Sequence, residues 1–147
     1  MGIPRSVACL VSFATLAVAC GPSAPTNELR YAAAMFACGP VDQPATIIVL
    51  SREPIRPAQL PDEAVRVIIL HPVDTLAGRT WQIGDNTGAF YGVGGDGIVS
   101  ATTGSVTVTR VDSTKRIDGG VNLLFSSSWL LVTEFSAPWI ESGVRCG

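Results

Sequence analysis

Apolar and polar residues alternate along much of the last two thirds of the chain, which is the pattern of strands with one buried face. In the clearest case Val106 and Val108 alternate with Thr107 and Thr109. Turn residues separate this segment from other short alternating or β-branched runs. The predicted strands cover residues 46–50, 65–70, 80–83, 89–93, 98–102, 105–111, 115–125 and 129–135.

This spacing of about eight short strands predicts an all-β fold, either an antiparallel sandwich or a small barrel. Gly119 and Gly120 fall inside the predicted strand 115–125. A hairpin turn there would leave a first arm too short to pair, so a β-bulge or tight bend is the better interpretation.

The segment before these strands, residues 28–38, is ambiguous. An N-cap at Asn27, an alanine-rich composition and a stop at Gly39-Pro40 favour one short N-terminal helix. A strand leading into Cys38 is the alternative, so residues 28–147 are predicted to form a single β-rich domain with at most one helix.

The start of the chain has a different pattern. Residues 7–19 carry no charge and follow Arg5, which is the layout of a secretory signal, and the run is shorter than the roughly 20 residues of a membrane-spanning helix. Ala17-Val18-Ala19 before Cys20 resembles the lipobox of bacterial lipoproteins. A plain secretory signal cut near Ala19, with Cys20 forming a disulfide, is the alternative.

The lipoprotein resemblance implies a division of the chain into three parts. Residues 1–19 would be a cleaved signal peptide, Cys20 would carry the lipid that holds the protein to a membrane, and residues 20–27 would be a Pro- and Ser-containing tether. Gly21 follows the cysteine, where Asp often retains such proteins at the inner membrane. The resemblance therefore implies the outer membrane in a cell with two membranes.

Charge and cysteine usage fit an exported domain. Without its first 19 residues the chain would have 9 basic and 12 acidic residues, a formal charge near −3, and its scattered arginines argue against nucleic acid as a partner. Cys9 would leave with the signal and Cys20 would be lipidated. Cys38 and Cys146 then remain, and two thiols in an oxidising compartment predict a disulfide between them.

Candidate chemistry in the domain is sparse. His71 is the single histidine, and no nucleophile motif accompanies it. The loops Gly-Asp-Asn-Thr-Gly at 84–88 and Gly-Gly-Asp-Gly at 94–97 are interpreted as turns rather than calcium sites. The sequence therefore assigns no catalytic residue, no metal ligand and no cofactor. The aromatic residues could line a ligand pocket or simply form the core. They are Trp81, Phe90, Tyr91, Trp129, Phe135 and Trp139.

Short motifs over most of the domain give a second resemblance. Cys-Gly-Pro at 38–40, Gly-x-Val-x-Val at 104–108, Phe-Ser-Ala-Pro-Trp at 135–139 and a final cysteine are similar to small uncharacterised bacterial lipoproteins with one β domain. That resemblance implies no activity. The predicted function is a non-enzymatic, membrane-anchored binding or structural module of the cell envelope. The alternative is a lipocalin-like barrel that encloses a hydrophobic ligand.

Overall fold

Nine strands form a single curled sheet in the computed structural model, which describes residues 29–84, 86–92, 97–126 and 128–147. The helical content of these residues is limited to two single-turn 3₁₀ segments, Pro40–Asp42 and Val73–Thr75. The strands are β1 (Tyr31–Cys38), β2 (Pro44–Ser51), β3 (Ala64–Ile69), β4 (Arg79–Gln82), β5 (Thr87–Gly92), β6 (Ile98–Val111), β7 (Ile117–Phe125), β8 (Leu130–Ala137) and β9 (Trp139–Ile140).

The sheet curls into a half-barrel, which confirms the predicted all-β class. Its order is β8-β7-β6-β5-β3-β2-β1-β9, with β4 beside β6. Every pair is antiparallel except β1 and β9, which run parallel. The chain passes from β8 into β9 through Pro138, whose carbonyl accepts a hydrogen bond of 2.9 Å from the Ala34 amide. This contact brings the two borders of the sheet together at one end.

The favoured N-terminal helix is wrong, because residues 31–38 form β1. All eight residues pair with β2, from Tyr31 opposite Ser51 to Cys38 opposite Pro44, and β9 occupies the other edge. Ala33 and Ala34 are almost fully buried between these neighbours. Pairing on both sides therefore outweighs the weak helix propensity of the alanines.

The strands predicted at 98–102 and 105–111 are one continuous strand, the 14-residue β6. The register with β7 shifts between Ala101 and Thr103, and Gly104 follows with a φ of +130° that only glycine adopts easily. The first part of β6 pairs with β5 and the second with β4. The bend at Gly104 thus carries the sheet around the corner of the half-barrel.

The register of β7 with β8 is continuous through Gly119 and Gly120, so the predicted bulge is not in β7. A second register shift lies opposite, in β6 between Val108 and Arg110. The ring of Phe135, across from Gly119 on β8, would meet any side chain placed there.

Inward-facing side chains fill the half-barrel. Phe125, Leu123 and Leu131 on one side face Ile48, Val67 and Ile69 on the other, and each is at most 2% exposed. Burying a side chain of this size contributes about 1.5–3 kcal/mol. Val106 and Val108 are buried and their neighbours Thr107 and Thr109 are more exposed, as the alternation predicted.

A second, smaller cluster explains why β2 is buried on both faces. The proline-containing loop 52–63 folds over the outer face of β1, β2 and β3. Its Ile55 and Leu60 pack on Met35, Val49 and Ala64. This loop lies at the end of the half-barrel where β1 begins, because Tyr31 pairs with Ser51 at the loop's start.

The predicted disulfide between Cys38 and Cys146 is confirmed. The two Cα atoms are 5.5 Å apart across a sequence separation of 108 residues. β9 and the chain after it return along β1 and bring Cys146 to this position. The bond joins the two ends of the folded domain.

Candidate functional site

A groove of about 400 Å³ lies at the end of the half-barrel where β1 ends, and we call it the mouth groove. Ligand sites are often found at the mouths of β-barrels, and this volume falls within their usual range. Four separate parts of the chain form its walls: β1, the 3₁₀ segment after β3, the β6–β7 turn and the C-terminal segment. The lining residues are Phe36, Pro72, Val73, Lys115, Trp139, Glu141, Ser142, Gly143, Val144 and Arg145.

The C-terminal wall is held in place by side chains on both sides of it. The Ser142 hydroxyl donates a hydrogen bond of 2.8 Å to the Phe36 carbonyl on β1. The disulfide of Cys146 fixes the chain just beyond the groove. Gly143 adopts a φ of +68°, which allows the chain to turn between these two attachments.

Lys115 reaches the groove from the β6–β7 turn, and the backbone of this turn is well supported. The Lys115 amide donates to the Asp112 carbonyl at 2.9 Å, and the Asp112 carboxylate accepts the Thr114 and Arg116 amides at 2.8 and 3.0 Å. The Thr114 hydroxyl also donates to this carboxylate, at 2.7 Å. This bond first, and then the two amide bonds, lower the pKa of Asp112 below its ordinary value. The turn therefore presents residue 115 in a fixed conformation.

That conformation is unfavourable for lysine. Lys115 has a φ of +61°, in the left-handed region where glycine and asparagine are preferred. Its ammonium nitrogen lies 5.1 Å from the centroid of the Trp139 ring, within the range of a cation–π contact. The backbone strain thus coincides with a specific placement of the charge over an aromatic ring.

The rim of the groove is cationic. Lys115 and Arg145 line it together with one carboxylate, that of Glu141. The ion pair found among the described residues, Arg110 with Asp118, lies elsewhere, on the outer face of the sheet. The floor is apolar and aromatic through Phe36, Trp139 and Val73, so the groove combines an apolar surface with excess positive charge.

His71 follows the end of β3, where its ring packs on an aromatic neighbour and its backbone is hydrogen-bonded. The centroid of its ring lies 4.4 Å from the centroid of the Trp81 ring. Its backbone amide donates a hydrogen bond of 2.8 Å to the Ile69 carbonyl. The Thr46 hydroxyl donates to the His71 carbonyl at 2.9 Å. Across the described parts of the chain, no three His, Cys, Asp or Glu side chains come together as metal ligands.

The aromatic residues pack mainly into the core. The Trp129 ring stacks on Phe125 with their centroids 4.4 Å apart and meets Tyr91 edge-on with their centroids 5.5 Å apart. Trp81 and Trp139 pack against the core cluster that contains Phe125 and Tyr91. Burial raises the pKa of Tyr91 above its ordinary value. The interior is therefore occupied by side chains, and of the six aromatic residues singled out in the sequence Trp139 is the one that lines the mouth groove.

A shallow trough on the outer face of β6, β7 and β8 brings together two acidic side chains, Asp118 and Glu134. Asp118 is held by its neighbours, because Arg110 Nε donates to it at 2.9 Å and the Ser136 hydroxyl at 2.6 Å. These bonds, Ser136's first and then Arg110's, lower the pKa of Asp118. Asp118 thus has an ion-pairing role in the described sheet.

We expect the Asp118 carboxyl to titrate below the ordinary range of aspartate, and Ser136→Ala to raise its midpoint. Since the pKa is lower in the folded state, the stabilisation from this group is present above the unfolded-state pKa and is lost as the pH falls through the folded-state pKa. Side-chain NMR titration measures both midpoints. Ser105→Ala, on the same sheet but outside the Asp118 hydrogen bonds, is the control. An unshifted midpoint in Ser136→Ala would contradict the assignment.

Several predicted features fall on residues that the structure does not describe. Cys20, the signal region and the tether lie before residue 29, and parts of both glycine loops, at 85 and 94–96, are likewise outside the described residues. Sequence reasoning did not find Lys115 or Arg145. The signal for Lys115 was indirect, since the gap between the predicted strands 105–111 and 115–125 indicates a turn but not the left-handed conformation of the residue that ends it.

Compared with protein-family models, curated proteins and solved structures, the chain matches none of them. A helix long and apolar enough to cross a membrane is not found among the described residues.

Proposed function

We propose that this protein is a lipoprotein of the cell envelope, held to a membrane by a lipid on Cys20, whose β domain is a non-enzymatic binding module. The disulfide between Cys38 and Cys146 is the observation that carries the proposal. Such a bond forms and persists in oxidising compartments such as the periplasm or the cell surface. An exported chain is what the lipobox-like sequence before Cys20 also implies.

The position of the mouth groove suits an anchored binding module. The described chain enters the domain at Leu29, just before β1, and the groove lies at the opposite end of that strand. From Leu29 to Phe36 an extended chain covers about 23 Å. A domain tethered by its N-terminal side would therefore hold the groove away from the membrane surface, where a partner or ligand can reach it.

The filled interior favours this proposal over a lipocalin-like barrel. A lipocalin-like site needs an empty cup, whereas Ile48, Leu123 and Phe125 occupy the centre of this half-barrel. Space for a ligand is found at the end of the half-barrel instead.

The anchor is tested by Cys20→Ser in cells that process lipoproteins. We expect the native protein to sediment with membranes and to carry a diacylglycerol on its first residue, because two or three acyl chains together give stable anchoring. Cys20→Ser should appear in the soluble fraction or keep its signal segment. Fractionation with mass spectrometry of the N-terminal peptide measures this.

Cys9→Ser is the matched control, because it changes a cysteine in the apolar run without touching the lipobox-like residues. It should be lipidated and sediment like the native protein. If Cys20→Ser still sediments with membranes at the native mature mass, the lipid anchor is not on Cys20 and the proposal fails.

A further inference from the structure

We propose that the mouth groove binds a small organic anion, a carboxylate or phosphate joined to an apolar body. The inference rests on the proposed binding function and specifies its ligand class. Phe36, Val73 and Trp139 give the groove an apolar floor, and Lys115 and Arg145 give its rim positive charge. A ligand with both characters would satisfy both parts of the surface.

Lys115 is the strongest indication, because its position has a cost that packing does not require. Glycine or asparagine would adopt its φ of +61° with less strain, and the turn's hydrogen bonds to Asp112 use backbone groups that any residue supplies. What lysine adds is an ammonium 5.1 Å from the Trp139 ring centroid, at the edge of the groove. Strained residues that persist in this way are concentrated at binding sites.

The charged residues at the rim of the groove decide the sign of the ligand's charge. The rim has two cations, Lys115 and Arg145, and one carboxylate, Glu141. Neither cation is engaged by an ion pair that the described residues show, in contrast to Arg110, which is bound to Asp118. An anion is therefore attracted, and Glu141 opposes it. Removing the cations should weaken binding, and removing Glu141 should strengthen it.

The test is a fluorescence titration with 8-anilinonaphthalene-1-sulfonate, an aromatic anion, against N-phenyl-1-naphthylamine, its neutral relative. The protein is the full chain carrying Cys20→Ser, which has no acyl chain to bind either dye. We expect saturable binding of the anionic dye that is tighter than that of the neutral dye. Octanoate and octyl phosphate should displace it, and their relative strength distinguishes a carboxylate from a phosphate ligand. Octanol should not displace it.

Four variants separate this proposal from general dye binding. Lys115→Gly and Arg145→Gln should each weaken binding of the anionic dye roughly fivefold or more, since each removes a charge that faces the ligand. Glu141→Gln should tighten it. Arg56→Gln removes an exposed cation from the loop at the other end of the half-barrel and should change nothing.

Lys115→Gly is informative because it relieves backbone strain, so its thermal unfolding temperature should equal or exceed that of the parent chain. Weaker dye binding in a protein at least as stable cannot be ascribed to unfolding. Equal affinities for both dyes, or equal losses in Lys115→Gly and Arg56→Gln, would overturn the proposal. The lipid anchor is tested separately by fractionation, so failure of the anion site would not decide the anchor, and failure of the anchor would not decide the anion site.

Discussion

Replacing Cys38 or Cys146 by Ser should lower the free energy of unfolding of the domain by about 4–5 kcal/mol. The bond closes a loop across 108 residues of sequence separation, and in the chain-entropy model a loop of this length restricts the unfolded chain by about that amount. Domains of this size are usually stable by only about 5–15 kcal/mol. The disulfide is therefore expected to provide a large part of the total.

Urea unfolding of a domain beginning at Asn27 measures the loss. The double variant Cys38→Ser with Cys146→Ser is the control, and it should lose no more than either single variant because only one bond is removed. In the unfolded, unreduced domain a thiol reagent should label neither cysteine. Two labelled thiols, or a loss below about 1 kcal/mol, would contradict the pairing.

The same bond connects stability to the mouth groove. Cys146 follows directly on Arg145, and the segment that includes Ser142 forms one wall of the groove. Without the disulfide this wall would be held by the Ser142 hydrogen bond and by the pairing of β9 with β1. We therefore expect variants without the bond to show weaker binding at the groove as well as lower stability.

The strands were predictable where one face is buried and the other is exposed to solvent. Val106 and Val108 are fully buried, and their threonine neighbours are more exposed. Apolar and polar residues therefore alternate in the sequence with the period of two that a strand requires. Val121, Leu123 and Phe125 on β7 follow the same rule. The disulfide was predictable because Cys38 and Cys146 are the two cysteines within the predicted domain of residues 28–147.

β1 was not predictable from local pattern, because its partners are distant in sequence. Its alanines fit closely between β2 and β9, and β9 lies about a hundred residues further along the chain, where Trp139 pairs with Ala34. Local propensity cannot report such pairing. Lys115 and Trp139 lie two residues beyond the last β7–β8 pair, Ile117 with Ala137, so the register of these strands brings them together. The other walls of the mouth groove come from β1 and from the segment after β3, so the groove as a whole has no continuous signature in the sequence.

The course of β6 depends on Gly104, and Gly104→Ala should lower the free energy of unfolding by about 3 kcal/mol or more. Its φ of +130° is strongly disfavoured for any residue with a side chain. A Cβ at this position would also overlap the carbonyl oxygen of Asn122 and lie 2.9 Å from the Cα of Leu123, both on the paired strand β7. Backbone atoms cannot rotate away as a flexible side chain could, so the bend or the β6–β7 pairing must give way.

Gly88→Ala is the matched control, because Gly88 also lies in a strand but has no positive φ and no atom within 4 Å of the added Cβ. Its effect should stay within about 0.5 kcal/mol, as for most substitutions at exposed positions. Urea unfolding compares the two variants with the parent domain, and circular dichroism reports whether Gly104→Ala retains the strand content at all. If both variants were equally stable, the bend of β6 at Gly104 would not be what carries the sheet around the half-barrel. A large loss confined to Gly104→Ala is the expected result, because only there do backbone conformation and close packing both exclude a side chain.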